Sequence, residues 1–133
     1  MQLIAHGIDL VECERIAVLL ARHGERFRRR VLTPIEREQA ARFANPVPHI
    51  SGRFAAKEAI LKVLGTGWRG KISWTDMEIT NDRAGAPLVR LSGEAARVAA
   101  QRGIGQILLS ITHTENYAAA SALGLSEAPL ANV

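Results

Sequence analysis

Apolar positions in the first half of the chain switch from strand to helix spacing. Residues 3–11 are apolar and partly β-branched, so they read as a strand. Ile4, Ile8 and Leu10 share one face with His6, whereas Asp9 shares the other with Leu3, Ala5, Gly7 and Val11. From residue 12 to 23 the spacing becomes helical through Ile16, Leu19, Leu20 and His23, with Gly24 suited to follow the helix end. A shorter helical turn spans residues 25–31. Thr33-Pro34-Ile35-Glu36 then combines an N-cap, a first-turn proline and a third-position acid, which predicts a helix running to about Ala44. Asn45 is expected to cap a central helix that holds Pro46 and Pro48 in its first turn and ends near Leu64, where Gly65 supplies the stop.

That central helix carries the chemistry. Ile50, Phe54, Leu61 and Leu64 fall on one apolar arc, and Glu58 and Lys62, four apart, share a flank beside it. Lys57 points into the arc. An unpaired ammonium there would be costly, so it must snorkel, pair or bind an anion. By themselves Glu58 and Lys62 are equally an ordinary surface ion pair.

Beyond it, residues 73–80 and 87–91 read as a hairpin around turn-forming residues 81–86. Ser92 is expected to cap a helix to Arg102. Residues 106–112 then face 117–123 across His113-Thr114-Glu115-Asn116 as a second hairpin. The expected fold is α+β: a helix-rich N-terminal half, antiparallel β-hairpins in the second half, and the first strand joining the sheet. One domain over residues 1–125 is expected, with 126–133 a frayed tail.

At 133 residues with 47% hydrophobic content, the chain can build one real core. No apolar run approaches the roughly 18–20 residues of a membrane span, and no basic, cleavable leader is visible, so a soluble cytoplasmic protein without membrane contact is the expectation. Lone Cys13 suggests neither an intrachain disulfide nor a zinc site. The net charge of +4 is uneven: residues 1–71 hold 13 Lys and Arg against 7 Asp and Glu, whereas residues 72–133 hold 4 against 6. The basic half calls for an anionic partner. Aromatic residues are sparse at 5%, and Arg28-Arg29-Arg30 has no stacking platforms between its cations, which argues against single-stranded nucleic acid. Arg15 and Arg22, seven apart on one helix face, are solvated or dock a partner. The Gly65–Gly70 connection is glycine-rich but lacks the Gly-Lys-Ser/Thr ending of a Walker A loop.

Three segments together resemble the holo-acyl-carrier-protein synthase family of 4′-phosphopantetheinyl transferases. They are Gly7-Ile8-Asp9-Leu10-Val11-Glu12 with Arg15-Ile16, then Arg53-Phe54-Ala55-Ala56-Lys57-Glu58-Ala59 through Gly65-Thr66-Gly67, and Ser110-Ile111-Thr112-His113-Thr114 with Tyr117-Ala118. The similarity also takes in residues 74–78 and Gly85-Ala86-Pro87, and covers nearly the whole chain. The resemblance implies transfer of the 4′-phosphopantetheine arm of coenzyme A to a serine of apo-acyl carrier protein, releasing adenosine 3′,5′-bisphosphate, in fatty acid biosynthesis. It implies Mg²⁺ held by Asp9 and Glu58, with Lys62 and His113 on the phosphates. The serine proton could go to Glu58 through a metal-bound water, which is preferred, or to His113 or Asp9. Arg53, Lys57, Gly65, Thr66 and Gly67 are implied at the nucleotide end of coenzyme A. Arg15, Arg22 and Arg26 are expected to dock the acidic carrier protein. The resemblance further implies a homotrimer with active sites between subunits, so that Lys57 or the glycine loop could serve a neighbour's site.

Overall fold

In the computed structural model, residues 1–67 and 71–127 are described. Trp68, Arg69, Gly70 and the end of the expected tail, residues 128–133, lie outside them. The element order is β1 (Leu3–Glu12), α1 (Cys13–His23), α2 (Glu25–Val31), α3 (Pro34–Ala40), α4 (Val47–Leu64), β2 (Met77–Asn81), β3 (Pro87–Leu91), α5 (Gly93–Gln101), β4 (Ile104–His113) and β5 (Tyr117–Ser126). The α+β expectation holds. β1, β5 and β4 form one antiparallel sheet in that spatial order, while β2 and β3 form a separate hairpin. β5 runs to Ser126, one residue past the expected domain boundary.

α4 is the axle of the molecule. Thirteen of its 18 residues are buried, so it is enclosed on nearly every side rather than along the single arc that its larger apolar residues suggest. The reason is compositional: Gly52 and Ala59 are small enough to let β4 and β1 lie directly on the helix, Ala55 and Ala56 are fully buried beside them, and Phe54 meets Phe27 of α2. Gly7 marks the closest approach. A Cβ on Gly7 would stand 2.1 Å from the Ala59 carbonyl oxygen and 3.0 Å from Lys62 Cβ. Gly65, at φ 79°, ends the helix in the left-handed conformation expected of it, and the guanidinium of Arg102 fills the space where its side chain would be.

Four local readings change. α3 ends at Ala40 rather than near Ala44. Pro46, not Asn45, is the N-cap of α4, although Asn45 Oδ1 still accepts a hydrogen bond from the Val47 amide at 3.2 Å. Residues 74–76 form a 3₁₀ turn where a strand was expected to be under way. At α5 the Ser92 side chain makes no capping bond; Asp76 Oδ2 accepts from the Ala95 amide at 3.3 Å instead, so the cap comes from the turn before β2. The Thr33–Glu36 capping box is present in full.

The three-stranded sheet buries only one face. On the other, Ile8 and Leu10 are 62% and 65% exposed and Leu108 and Tyr117 nearly half exposed, while His6 Nε2 and Ser121 Oγ meet at 2.9 Å among them. Among the described residues no helix is long and apolar enough to cross a membrane.

Candidate functional site

The tight β1–α4 contact at Gly7 carries Asp9, two residues on and on the same strand face, to the flank of α4 that bears Glu58 and Lys62. Lys62 Nζ donates to the Ile8 carbonyl at 2.7 Å and stands 3.4 Å from Asp9 Oδ1. The pair is open to solvent, with Lys62 54% and Asp9 19% exposed. Glu58, one turn before Lys62, is half-buried and enters an open cleft of about 760 Å³ lined also by Arg15, Arg29, Arg30, Phe54 and Trp74. Two acids from remote segments and one ammonium therefore share one side of the helix. Their donor set is carboxylate oxygen, which suits a hard cation such as Mg²⁺ better than a softer metal. Among the described residues no group of three or more His, Cys, Asp or Glu gathers at metal-binding distance, so any ion there would draw its remaining ligands from substrate and water.

The cleft wall is aromatic. Phe54 stacks between Phe27 and Trp74, with ring centroids 6.5 and 4.7 Å away, and the Arg15 guanidinium lies 5.4 Å over the Phe54 ring. A second hollow of about 420 Å³ adjoins it, with Arg15, Arg26 and Arg30 on its rim. Arg22 is exposed on α1. A larger cavity, about 1140 Å³, lies between β3, α5 and β4; Ala86 and Pro87 of the resembling Gly85-Ala86-Pro87 segment line it, but none of the expected site residues does.

His113 stands two strands across the sheet from β1, two residues beyond Ile111, which shares Ala120 as a register partner with Asp9. It ends β4, whose Ile111 packs on Gly52 in the N-terminal half of α4, and its charge acts on His49 in the first turn of that helix. Thirteen residues of helix separate His49 from Lys62, about 20 Å along the axis. Arg53 belongs to the His113 end as well: it is buried and donates to Asn81 Oδ1 at 3.0 Å, and its Nε has no hydrogen-bond partner. Burial draws its pKa below the ordinary arginine value. Gly65, Thr66 and Gly67 lie at the opposite end, beyond Lys62, with Gly65 and Gly67 exposed. Along α4, Arg53 and the His49 neighbour of His113 thus lie in the N-terminal half, and Glu58, Lys62 and the glycines towards the C-terminal end.

Lys57 needs correcting. Expected at the nucleotide end of coenzyme A, it is wholly enclosed, and its ammonium donates to the Val31 carbonyl at 2.7 Å, Glu36 Oε1 at 2.6 Å and the Trp74 carbonyl at 3.2 Å. All three protons are taken, so no phosphate can reach it. Desolvation lowers its pKa, partly opposed by Glu36. The awkward position of Lys57 in an apolar arc signalled that a partner was needed, but nothing local pointed to Glu36, 21 residues earlier. His49 is a second residue that sequence reading passed over. It stacks on Phe43 with centroids 4.6 Å apart, its Nε2 has no hydrogen-bond partner, and burial together with Arg53 and His113 lowers its pKa to about 4.

The sequence model of the 4′-phosphopantetheinyl transferase superfamily matches residues 5–122. The holo-(acyl-carrier-protein) synthase of Solibacter usitatus is 42% identical over 130 residues, covering 98% of this chain and 99% of the relative. Among solved structures, the Plasmodium yoelii acyl carrier protein synthase with ADP bound superimposes with a TM-score of 0.86 at 36% identity, over 95% of this chain and 97% of that one. The Helicobacter pylori holo-(acyl-carrier-protein) synthase in complex with coenzyme A gives a TM-score of 0.80 at 30% identity, over 91% and 100%.

Proposed function

Because the chain belongs to the 4′-phosphopantetheinyl transferase superfamily, we propose that it moves the phosphopantetheine arm of coenzyme A onto a serine of apo-acyl carrier protein. The serine oxygen attacks the phosphorus that bears the arm, the bond to the leaving phosphate of adenosine 3′,5′-bisphosphate breaks, and the serine proton passes to a base. The observation that carries this reading is the meeting of Asp9 with Lys62 on the flank of α4 that also presents Glu58.

Asp9 and Glu58 would hold Mg²⁺. When bound, the ion neutralises charge on the diphosphate. Lys62 is the cation nearest Asp9 and is exposed enough to leave it for a phosphate oxygen, where it offsets charge building on the leaving group. Glu58, reached through a water, takes the serine proton. Gly65, Thr66 and Gly67 bracket the nucleotide at this end of the helix. His113 and Arg53, which act on His49 in the first turn of α4 while Asp9 meets Lys62 in its last, contact the coenzyme A held by a neighbour. That arrangement requires a multimer, and the bare face of the sheet supplies the surface: leaving Ile8 and Leu10 in water forgoes roughly 1.5–3 kcal/mol each. A homotrimer with a site at each contact answers both facts. Arg15, Arg22 and Arg26 present the basic rim to the acidic carrier protein. The setting is the cytoplasm and the product serves fatty acid biosynthesis.

The test is mass spectrometry of apo-carrier protein after incubation with coenzyme A. The mass of the phosphopantetheine arm should appear with Mg²⁺ and vanish with chelator. Binding to oligonucleotides with steep salt dependence, and no mass change, would sink the reading.

A further inference from the structure

The enclosed pair Lys57 and Glu36 is shut off from solvent, yet it ties together three of the segments that line that cleft, α2, α4 and the 74–76 turn. Val31, which receives one ammonium proton, ends the helix carrying Arg29 and Arg30; Trp74, which receives another, lines the cleft with its own ring. Glu36 extends the web, accepting from the Thr33 amide at 2.8 Å and the Ile79 amide at 2.8 Å. α2, α3, the 74–76 turn and β2 are thus pinned at one point to α4, at the residue next to Glu58. A stability role alone accounts poorly for this choice, because apolar replacements of a buried ion pair are often neutral or stabilising. Polar pinning does what apolar packing does not: it fixes backbone carbonyls on two facing walls at set distances from one atom.

We infer that Lys57 and Glu36 are a positioning pair, which holds the α2 wall and the Trp74 wall at the spacing that lets a carrier-protein serine reach the phosphorus beside Glu58. This rests on the transferase reading above. Its consequence is a separation of effects. Coenzyme A binding depends on the glycine loop, Lys62 and the distant His113 group, and so should survive loss of the pair, whereas turnover should not. A misplacement of about 1 Å can cost on the order of 100-fold in rate.

The experiment uses the full chain carrying Lys57→Met with Glu36→Met, and in parallel Lys57→Met with Glu36→Gln, which keeps an acceptor for the backbone amides. Calorimetry with coenzyme A counts binding-competent sites, and kcat is taken per such site with apo-carrier protein and Mg²⁺. The expected result is a kcat lower by roughly 30- to 100-fold, with the coenzyme A dissociation constant within about threefold of the parent. A kcat per site within about threefold of the parent overturns the inference while leaving the transferase reading intact. Failure of both variants to fold also overturns it, since the pair is then a requirement of the fold. If the unaltered chain transfers nothing, both readings fall together.

Discussion

His49 is the residue whose surroundings disagree most with its chemistry. Its ring lies on Phe43, its Nε2 has no hydrogen-bond partner, and its pKa drops from 6.5 to about 4. Between those two values the unfolded chain binds a proton at this position that the folded chain refuses. Stability therefore rises with pH through that window and is lost as pH falls from 6.5 towards 4. Discounted for partial exposure, the loss amounts to about 1–2 kcal/mol. Urea midpoints measured across the window should show this slope in the parent and a flatter one in His49→Phe; equal slopes would remove His49 as the cause. Arg15 poses a different question, because its guanidinium both covers the Phe54 ring and borders the cleft. Arg15→Glu should weaken carrier-protein binding by about tenfold or more while leaving coenzyme A affinity unchanged, with both titrated by calorimetry. Equal loss of the two would argue against a docking role. At this scale the sequence was informative about need and silent about supply: it said that Lys57 required a partner, but Glu36 is brought to it only by the fold.

At the scale of elements, the decisive contact is that of β1 with α4. The strand, the cap at Thr33 and the stop at Gly65 were legible because each is written in neighbouring residues. The all-round burial of α4 was not, because Ala and Gly look neutral in a helical pattern and become a docking face only when a sheet arrives. The cap of α5 escaped for the same reason: Asp76 lies far from Ser92 in sequence, and local reading favours the nearer hydroxyl. Asp9 and Glu58 were named from the sequence, yet what brings β1 onto their flank of α4 is Gly7, which reads as an ordinary strand residue. Gly7→Ala should therefore act on the site as well as on the fold. With the Ala59 carbonyl oxygen 2.1 Å from the new Cβ, β1 must lift from α4, at roughly 1–3 kcal/mol. Asp9 moves with it. Thermal unfolding should record the destabilisation, and the Mg²⁺ concentration for half-maximal transfer should rise several-fold. Unchanged Mg²⁺ dependence in a destabilised variant would detach Asp9 from the metal.

For the whole molecule, the separation of the two residue groups along α4 and the bare sheet face are one problem seen twice. A single chain sets His113 within electrostatic reach of His49, some 20 Å of helix before Lys62, and it leaves Ile8 and Leu10 in water. A symmetric assembly that covers the face and juxtaposes one chain's Asp9 end with the next chain's His113 end relieves both. Leu10→Glu, which sets a charge in the middle of the exposed face, should yield a folded monomer by sedimentation and lose transfer, because the sites are then never assembled. A sharper test does not depend on dissociation. Glu58→Gln and His113→Ala chains, each inactive alone, damage opposite halves of a shared site, so co-expression should regenerate intact sites wherever the right halves meet. Random association makes about a quarter of the contacts intact, and activity should recover to roughly that fraction of the parent. If mixed assemblies are verified by mass and no activity returns, Glu58 and His113 do not act across a contact, and the bare face must be covered for some other reason.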